Sequence, residues 1–323
     1  MLQGMIVYKP PSWHKIGKAV NETLSKEEIL KKADADYEVI LSPVQVEDLT
    51  TGKFMTVEDR YVTGRLDPIT MELQNWEVVK GRYQVVPNEV IVDKAIAIGN
   101  KSSGEATLES VGTLDGGRKF FACVRTTQLT LSPDKRAEDI IDNYVVIMTS
   151  HDGSIPICYY NLDVRRINST IYRFSPINDY ASFSLRKRHT PNATDRLEEA
   201  SEVLMMRDVW TRELAEVIKI LSVELRDYQV NDYLKKLWSF SNANTKKKRE
   251  YTEYVHERVK QLYDSKINSG LFGQTKWSLF NAICEFYDFH RNVDELDAIQ
   301  QSFEIDNLVH RDKLVAYRIL MEE

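Results

Sequence analysis

The sequence contains only three cysteines, Cys123, Cys158 and Cys284, in a chain of 323 residues. An odd number of widely spaced cysteines, each set in an apolar run, does not build the disulfide framework of a small secreted protein. Free cysteines of this kind behave as small apolar residues and are most often buried. We therefore expect three buried thiols and a reducing, cytoplasmic environment.

Long apolar runs, glycine, proline and net positive charge are also scarce. No window reaches the roughly 20 apolar residues of a membrane helix, and the N-terminus lacks the apolar core of a signal peptide. Thirteen glycines and nine prolines are too few for a low-complexity protein. A net charge of -6 argues against attachment to nucleic acid or anionic membrane over the whole surface, but not against a local basic face. We expect a soluble protein that does not bind membranes.

The strongest structural pattern lies between Leu108 and Tyr172, where β-branched and aromatic residues alternate with glycine-containing turns. The turn Asp115-Gly116-Gly117 predicts one hairpin, and His151-Asp152-Gly153-Ser154 predicts a second. The polar segment SPDKRAEDIID between them predicts a connecting loop or one short helix at the edge of the sheet. This region is therefore expected to form the centre of an antiparallel, hairpin-rich sheet.

The segments on either side predict helices that flank this sheet. Ser25 and Glu28 form a capping-box pattern before a short helix, and residues 89–98 have the apolar spacing of a helix packed on a sheet. From Pro191 onward apolar residues recur at three- and four-residue steps. The sequence thus predicts an α+β fold, with a sheet-rich domain over residues 1–190 and a helical domain packed on it over residues 191–323.

The helical part carries two polar residues on a face that is otherwise apolar. Thr275 is expected to open a helix on which Trp277, Asn281 and Asp288 share one side. Polar groups on a buried face must be hydrogen-bonded. The favoured interpretation is that Asn281 and Asp288 tie this helix to the sheet, and a role in anchoring a partner is the alternative.

No catalytic, metal or cofactor motif stands out. The six histidines have no metal-ligand spacing, and Gly112, Gly116 and Gly117 are not followed by the helix of a nucleotide-binding loop. A hairpin tip explains His151-Asp152 without chemistry, and His189 is interpreted as fixing a junction. The run Lys246–Arg249 is interpreted as a solvated loop or helix start, with phosphate binding as the alternative. We expect no enzyme, no cofactor and no metal.

Several segments together resemble one family. They are PSWHKIGKAV, LQNWEVVKGRYQVVPN, SVGTLDGGRKFFACV, SHDGS, VRRINSTI, RHT and GQTKWSLFNAICEFYDFHR. Their colinear order resembles the phage/plasmid-like proteins with domain of unknown function 932. The resemblance implies a mobile element, usually a bacteriophage, and hence a bacterial host cell, but no settled activity. The family commonly has a Cys-Ser-Asn-Thr-like run after its arginine, where this chain has Arg166-Ile167-Asn168-Ser169-Thr170, so a role for that cysteine is not expected here.

A second resemblance concerns the order of elements. KGRYQVVPNEVIVDKAIAI, followed by a hairpin, a strand ending at an Asp-Gly turn and a long helix, is similar to the single-strand annealing recombinases of the Rad type. That resemblance implies a basic groove for single-stranded DNA between a hairpin sheet and a helical part, often in a ring-shaped homo-oligomer. Such a groove needs cations for phosphates and exposed aromatic rings for bases.

The candidate nucleic-acid-binding residues follow from this requirement. The stretch from Asp163 to His189 has a clear excess of positive charge with interleaved tyrosine and phenylalanine, and cations in neighbouring strands extend it. The candidates are Arg165, Arg166, Arg173, Arg186, Lys187, Arg188, Lys80, Arg82, Arg118, Lys119 and Arg125. The sequence therefore predicts a non-enzymatic, single-stranded DNA-binding protein of a mobile element, active in annealing, recombination or replication. The alternative is a phage protein–protein interaction factor that modulates host machinery or defence.

Overall fold

A computed structural model of the chain describes residues 2–8, 18–20, 24–67, 70–101, 107–134, 137–172, 184–195, 200–291, 301 and 307–322. Within these ranges the chain forms a large sheet, a small sheet and a helical C-terminal part, which confirms the α+β prediction. None of the helices described is long and apolar enough to cross a bilayer.

The strands are β1 (Leu2–Tyr8), β2 (Lys18–Val20), β3 (Ile40–Asp48), β4 (Lys53–Leu66), β5 (Leu73–Lys80), β6 (Thr107–Leu114), β7 (Lys119–Asp134), β8 (Ala137–Ser150), β9 (Ile157–Arg165), β10 (Ile171–Tyr172) and β11 (Ser184–Lys187). The helices are α1 (Lys26–Lys32), α2 (Asn88–Lys101), α3 (Ala200–Leu221), α4 (Asp227–Leu237), α5 (Lys246–Tyr263), α6 (Ser269–Phe272), α7 (Lys276–Glu285) and α8 (Leu308–Met321). A π-helical turn, Phe286–His290, continues α7.

The large sheet has the strand order β10-β9-β8-β7-β6-β1-β2, and β11 pairs with the other end of β9. Only β1 and β2 pair in parallel among the strand pairs described. Its centre consists of the β6–β7 and β8–β9 hairpins, as the sequence predicts. The local turn residues therefore fixed the pairing of neighbouring strands correctly.

The turn between β6 and β7 depends on glycine. Gly116 and Gly117 have φ of 70° and 91°, in the left-handed region that side chains other than glycine rarely adopt. A Cβ on Gly117 would also lie 3.0 Å from the hydroxyl of Tyr37, which donates a 2.6 Å hydrogen bond to the carbonyl of Gly117. This turn is thereby fastened to the segment that leads into the small sheet.

The described residues of the polar segment between the two hairpins, 132–134 and 137–142, lie in strands, so the prediction of a loop or short helix is wrong for them. Strand β7 runs to Asp134 and β8 begins at Ala137, with Leu129 opposite Ile141 and Leu131 opposite Asp139. The buried carboxylates of Asp139 and Asp142 do not prevent strand pairing, because Arg165 of β9 and Arg166 in the turn after it neutralise them. The sheet consequently extends much further toward the helices than the apolar residues alone suggest.

The small sheet has the order β3-β4-β5 and carries an exposed ribbon. In this ribbon, Gln45–Asp48 of β3 pair with Lys53–Thr56 of β4 beyond a register shift. Its apolar side chains face solvent: Leu49 is 92% exposed and Phe54 is 68% exposed. The end of the ribbon therefore lies outside the three buried hydrophobic clusters of the described residues.

Helices α1 and α2 cover one face of the large sheet, and the helical part packs at its far end. The box of Ser25 and Glu28 caps α1 as predicted, with reciprocal hydrogen bonds of 3.2 and 2.8 Å. Ile141 of β8 and Tyr172 of β10 belong to the same buried cluster as the side chains of α4, α5, α7 and α8. The three cysteines are buried and free, which confirms the expectation from their spacing.

Helix boundaries in the C-terminal part differ from the prediction at several ends. The apolar spacing from Leu197 to Leu225 predicts one long helix, and a second one is predicted from Asp232; in the structure α3 ends at Leu221 and α4 begins at Asp227. Thr275 caps α7 as expected, since its hydroxyl accepts a hydrogen bond from the backbone N–H of Ser278 at 3.2 Å. The sequence also predicts a capping box formed by Asp195 and Glu198, and Glu198 lies outside the described residues.

Candidate nucleic-acid interface

Arg165, the first arginine of the predicted cluster, is a structural residue. Its side chain is 0% exposed and pairs with Asp139, also 0% exposed, at 2.5 Å. It donates further hydrogen bonds to the side chain of Asn268, at 2.6 Å, and to the carbonyl of Ile267. A guanidinium with no accessible surface cannot contact a phosphate, so the expected nucleic-acid role of Arg165 is corrected to a link between the sheet and the helical part.

Arg166 and Arg125 are engaged by acidic groups at the surface of the sheet. Arg166 makes a two-pronged ion pair with Asp142, whose side chain is 2% exposed, at 2.5 and 2.9 Å. Arg125 lies 3.6 Å from Glu109 and 4.0 Å from Asp142. Burial raises the pKa of Glu109, although Tyr144 and Arg125 oppose this shift. These two arginines mainly neutralise the carboxylates of Asp142 and Glu109. A phosphate would have to compete with those carboxylates for the guanidinium groups.

The remaining candidates that the structure describes lie at the opposite end of the sheet. Lys119 pairs with Asp115 at 2.9 Å, while the carbonyl of Arg118 accepts a 2.6 Å hydrogen bond from the backbone N–H of His151. Arg186 and Lys187 lie on β11, and Arg186 is exposed. Arg173 is outside the described residues. The cluster that looks continuous in sequence is thus divided between two ends of the molecule.

Three of the predicted cations converge on one groove of about 640 Å³. Lys80 and Arg82 approach it from the end of β5, and Arg188 approaches from the segment after β11. We call this the basic groove; its walls are formed by Glu77, Val78, Val79, Lys80, Arg82, Tyr83, Asp152, Gly153, Ser154, Ile155, Pro156, Arg188, His189 and Thr190. The three cations face two acids, so the groove has a small positive excess in a chain that is acidic overall.

A tight turn after β5 sets the positions of Lys80 and Arg82. The backbone N–H of Gly81 donates a 2.9 Å hydrogen bond to the carboxylate of Asp59, and a Cβ on Gly81 would lie 2.7 Å from that same oxygen. The carboxylate thus occupies the space that a side chain would need. The Tyr83 hydroxyl then donates to the carbonyl of Ser150 at 2.8 Å. Lys80 and Arg82 therefore project from a turn that is held at both ends.

His189 holds the opposite wall of the basic groove. Its ring stacks on Tyr83 with centroids 4.9 Å apart, and its Nδ1 lies 3.1 Å from the carbonyl of Gln84. The ring Nε2 lies 3.3 Å from the hydroxyl of Thr149. Burial lowers the pKa of His189 below its ordinary value. These contacts confirm that His189 fixes a junction, which in turn sets the position of the neighbouring Arg188.

His151 is buried behind the groove as a neutral ring. It stacks on Trp76 with centroids 5.8 Å apart, and its Nε2 lies 2.8 Å from the side-chain oxygen of Asn88. Because the Asn88 amide donates to the carbonyl of Ala35 at 2.9 Å, its oxygen accepts from Nε2–H of His151. Burial lowers the pKa of His151 to about 3. A ring held neutral and away from solvent does not serve as an acid–base group beside Asp152.

Asn281 and Asp288 tie the helical part to the sheet, which confirms the favoured interpretation of these two residues. Tyr172 of β10 donates its hydroxyl hydrogen to Asn281, and the backbone N–H of Ile171 donates to Asp288 at 2.9 Å. The sequence did not single out Lys313, which is 1% exposed, pairs with Asp288 at 2.5 Å and donates to the carbonyl of Ile171 at 2.8 Å. A lysine in an amphipathic helix gives no local sign of burial.

The described residues show few groups suited to covalent or metal chemistry. No group of three or more His, Cys, Asp or Glu side chains that could hold a metal ion occurs among them. Burial raises the pKa of the Cys123 and Cys284 thiols well above the ordinary value, which keeps them protonated and unreactive. The lining of the basic groove combines charged, apolar and aromatic side chains.

Comparisons with known proteins point to one family. The sequence model described as "Domain of unknown function (DUF932)" matches residues 75–313, which include both walls of the basic groove and most of the helical part. Neither the curated proteins nor the solved structures yield a match. The similarity to single-strand annealing recombinases is not shown by these comparisons.

Proposed function

The chain belongs to the DUF932 family, and we propose that it is a non-enzymatic protein that binds single-stranded nucleic acid in the basic groove. In this proposal it acts in annealing, recombination or replication of a bacteriophage or another mobile element in the bacterial cytoplasm. One observation carries the proposal: Arg188, which is distant in sequence from Lys80 and Arg82, converges with them on one groove. Its apolar walls and the ring of Tyr83 supply surface on which bases can rest.

The distribution of charge supports a strand rather than a small anion. The three cations line an open groove, whereas a small anion is usually held by several donors at one point. Each phosphate neutralised on a single strand contributes about 0.7 to the slope of log affinity against log salt. Three contacts therefore predict a slope of about −2 from this groove.

Fluorescence anisotropy with a labelled oligonucleotide tests the proposal. We expect the full chain to bind a single strand more tightly than the matching duplex, because duplex bases are stacked and cannot reach Tyr83. Replacing Lys80, Arg82 and Arg188 together by alanine should weaken binding and lower the salt slope by about 2. The matched control replaces Lys31, Lys219 and Lys235, exposed lysines on α1, α3 and α4, and removes the same charge.

The control separates a site from an overall charge effect. If both triple variants lose the same affinity, the basic groove is not the site and only net charge acts. If the wild-type chain does not bind at low salt, where phosphate contacts are strongest, the proposal is overturned. Thermal unfolding of each variant shows whether the fold is retained.

A second candidate function is the protein–protein interaction factor, and the β3–β4 ribbon favours it. Leu49, Phe54 and Met55 are 92%, 68% and 55% exposed, and monomers rarely leave such apolar side chains together in water. A protein of the host machinery or of host defence is the partner of this candidate, and a second copy of the chain is the partner that the expected homo-oligomer requires. Sedimentation velocity should then give a mass above that of one chain, and Leu49→Ser with Phe54→Ser should return it to the monomer. A monomeric wild-type chain at micromolar concentration would show that the ribbon does not hold two copies together, and a host protein would then be the remaining partner of this candidate.

A further inference from the structure

The start of α5 carries a concentration of positive charge that the fold does not explain. Lys246, Lys247, Lys248 and Arg249 occupy its first turn, which contains no acidic residue. Cations at this end oppose the helix dipole and weaken the helix. Helix α1 shows the opposite and favourable arrangement, with acidic residues first and basic residues last. The basic run therefore weakens the local fold, as residues kept for binding often do.

Two of the four cations are free to bind a ligand. Lys246 lies 3.7 Å from Glu250, and Nε of Arg249 donates to the carbonyl of Ala243 at 3.1 Å. Lys247 and Lys248 are exposed, and no ion pair involving either occurs among the residues that the structure describes. Their ammonium groups are therefore hydrated rather than neutralised by the protein.

Exposed aromatic rings follow the free lysines along the same side of α5. Lys247, Tyr251 and Tyr254 are separated by steps of four and three residues, which places them on one face. Tyr251 and Tyr254 are 42% and 43% exposed, and their ring centroids are 6.3 Å apart. Glu250 borders this face, since it is three residues after Lys247 and four before Tyr254, and it lies 3.7 Å from Lys246; Glu257 is three residues after Tyr254, and Glu253 lies further round the helix. One face thus combines a cation and two rings, and the nearest carboxylate to the cation, that of Glu250, is engaged by Lys246.

A cavity adjoins this face where α4 ends and α5 begins. Its volume is about 550 Å³, and Trp238, Lys247, Lys248 and Tyr251 contribute to its walls. Lys248 and Tyr251 are three residues apart, so a charged and an aromatic group enter the cavity from one helix turn. The cavity does not share a lining residue with the basic groove.

We propose that Lys247, Lys248, Tyr251 and Tyr254, here called the α5 patch, form a second contact for single-stranded nucleic acid. The two lysines neutralise successive phosphates of the strand. The two tyrosine rings stack with bases that have left the helical stack. The inference rests on the proposed function for the class of ligand, but it assigns a site on a different part of the chain.

The combination of groups favours a single strand over other anionic partners. A duplex offers phosphates to the lysines but keeps its bases away from the rings. An anionic lipid surface attracts lysines through its charge alone and does not require two exposed rings next to them on the same helix face. Stacking is also tolerant of base identity, so we expect little sequence preference at this site.

Oligonucleotides with and without bases test the α5 patch in the full chain. We expect Tyr251→Ala with Tyr254→Ala to weaken binding of an oligothymidylate at least tenfold, since one stacked base contributes about that much. The same variant should bind an abasic oligonucleotide of equal length and charge as tightly as the wild type does. Tyr251→Phe with Tyr254→Phe keeps both rings and should bind oligothymidylate normally. Lys247→Ala with Lys248→Ala should lower the salt slope by about 1.4.

The outcomes separate this inference from the proposed function. Unchanged oligothymidylate binding by the double tyrosine-to-alanine variant overturns the α5 patch, and the basic groove is then judged by its own triple variant. If the groove variant binds normally and the tyrosine variant does not, the α5 patch stands and the groove assignment fails. If the double alanine and double phenylalanine variants weaken oligothymidylate binding equally, the rings do not stack with bases at this site. If the chain binds phosphatidylglycerol vesicles in preference to oligothymidylate, stacking at this site is likewise overturned. Circular dichroism melts of the phenylalanine and alanine pairs detect any loss of folding.

Discussion

Replacing Arg165 by methionine should destabilise the protein strongly, because this arginine is the only cation within salt-bridge distance of Asp139 among the described residues. Both side chains are 0% exposed and their closest atoms are 2.5 Å apart. Removing one partner of such a pair leaves a buried charge without compensation, which costs about 3–5 kcal/mol. A domain of ordinary stability has about 5–15 kcal/mol in total. The variant should therefore be marginally folded at room temperature.

The loss extends across the boundary between the sheet and the helical part. The same guanidinium donates to Asn268 and to the carbonyl of Ile267, which precede α6. Methionine has a similar length but no donor, so these two acceptors also lose their partner, at about 1–3 kcal/mol for a buried group. Lysine cannot replace the planar fork and should recover only part of the stability.

Urea unfolding followed by circular dichroism measures the effect. We expect the free energy of unfolding of Arg165→Met to fall by at least about 3 kcal/mol. The double variant Asp139→Leu with Arg165→Met removes both charges and should be more stable than the single variant. A single variant within about 1 kcal/mol of wild type would refute the structural role. Loss of nucleic-acid binding in a fully stable Arg165→Met variant would restore the role that the sequence suggested.

The sequence predicted elements whose signals are local. The Asp115–Gly117 turn, the Ser25 capping box and the Thr275 cap each act within a few residues, and each is found where it was expected. These interactions do not depend on what the rest of the chain does. The order of hairpins and helices, and with it the α+β class, therefore followed from the sequence.

The sequence did not predict the strands whose buried carboxylates are neutralised by arginines that are distant along the chain. Residues 132–142 look like a polar connection because the partners of Asp139 and Asp142 are Arg165 and Arg166, more than 20 residues later. Likewise, two adjacent arginines look alike in sequence, yet Arg165 is buried and Arg166 is 43% exposed. Burial of a charged side chain depends on partners brought by the fold, so periodicity cannot predict it.

The sequence identified the cations of the basic groove but did not predict which of the candidate residues lie together. Lys80, Arg82 and Arg188 were all named from the sequence, yet they were grouped with residues at the other end of the sheet. Their convergence depends on the turn at Gly81 and on the stacking of His189 against Tyr83. Both are tertiary contacts between segments more than 20 residues apart.

Two further substitutions test the packing around the basic groove. Gly64→Ala should destabilise the small sheet by about 1–3 kcal/mol, because the new Cβ would lie 2.4 Å from the carbonyl oxygen of Gln74. Thermal melts should show a lower unfolding temperature for this variant. Gly270→Ala is the control and should be tolerated, because its Cβ would lie no closer than 3.4 Å to a neighbouring atom. His151→Gln should reduce the loss in the free energy of unfolding that occurs as the pH falls below 6.5. The folded pKa of His151 is lowered from 6.5 to about 3, so its contribution is complete above pH 6.5 and is lost as the pH falls toward 3. At about 1.4 kcal/mol per pH unit, wild type should lose about 2 kcal/mol from this residue between pH 7 and pH 5. Glutamine keeps an N–H donor for Asn88 but does not titrate, so urea unfolding of the variant should lack that loss. A variant with the full wild-type pH dependence would show that His151 is accessible to protons in the folded state.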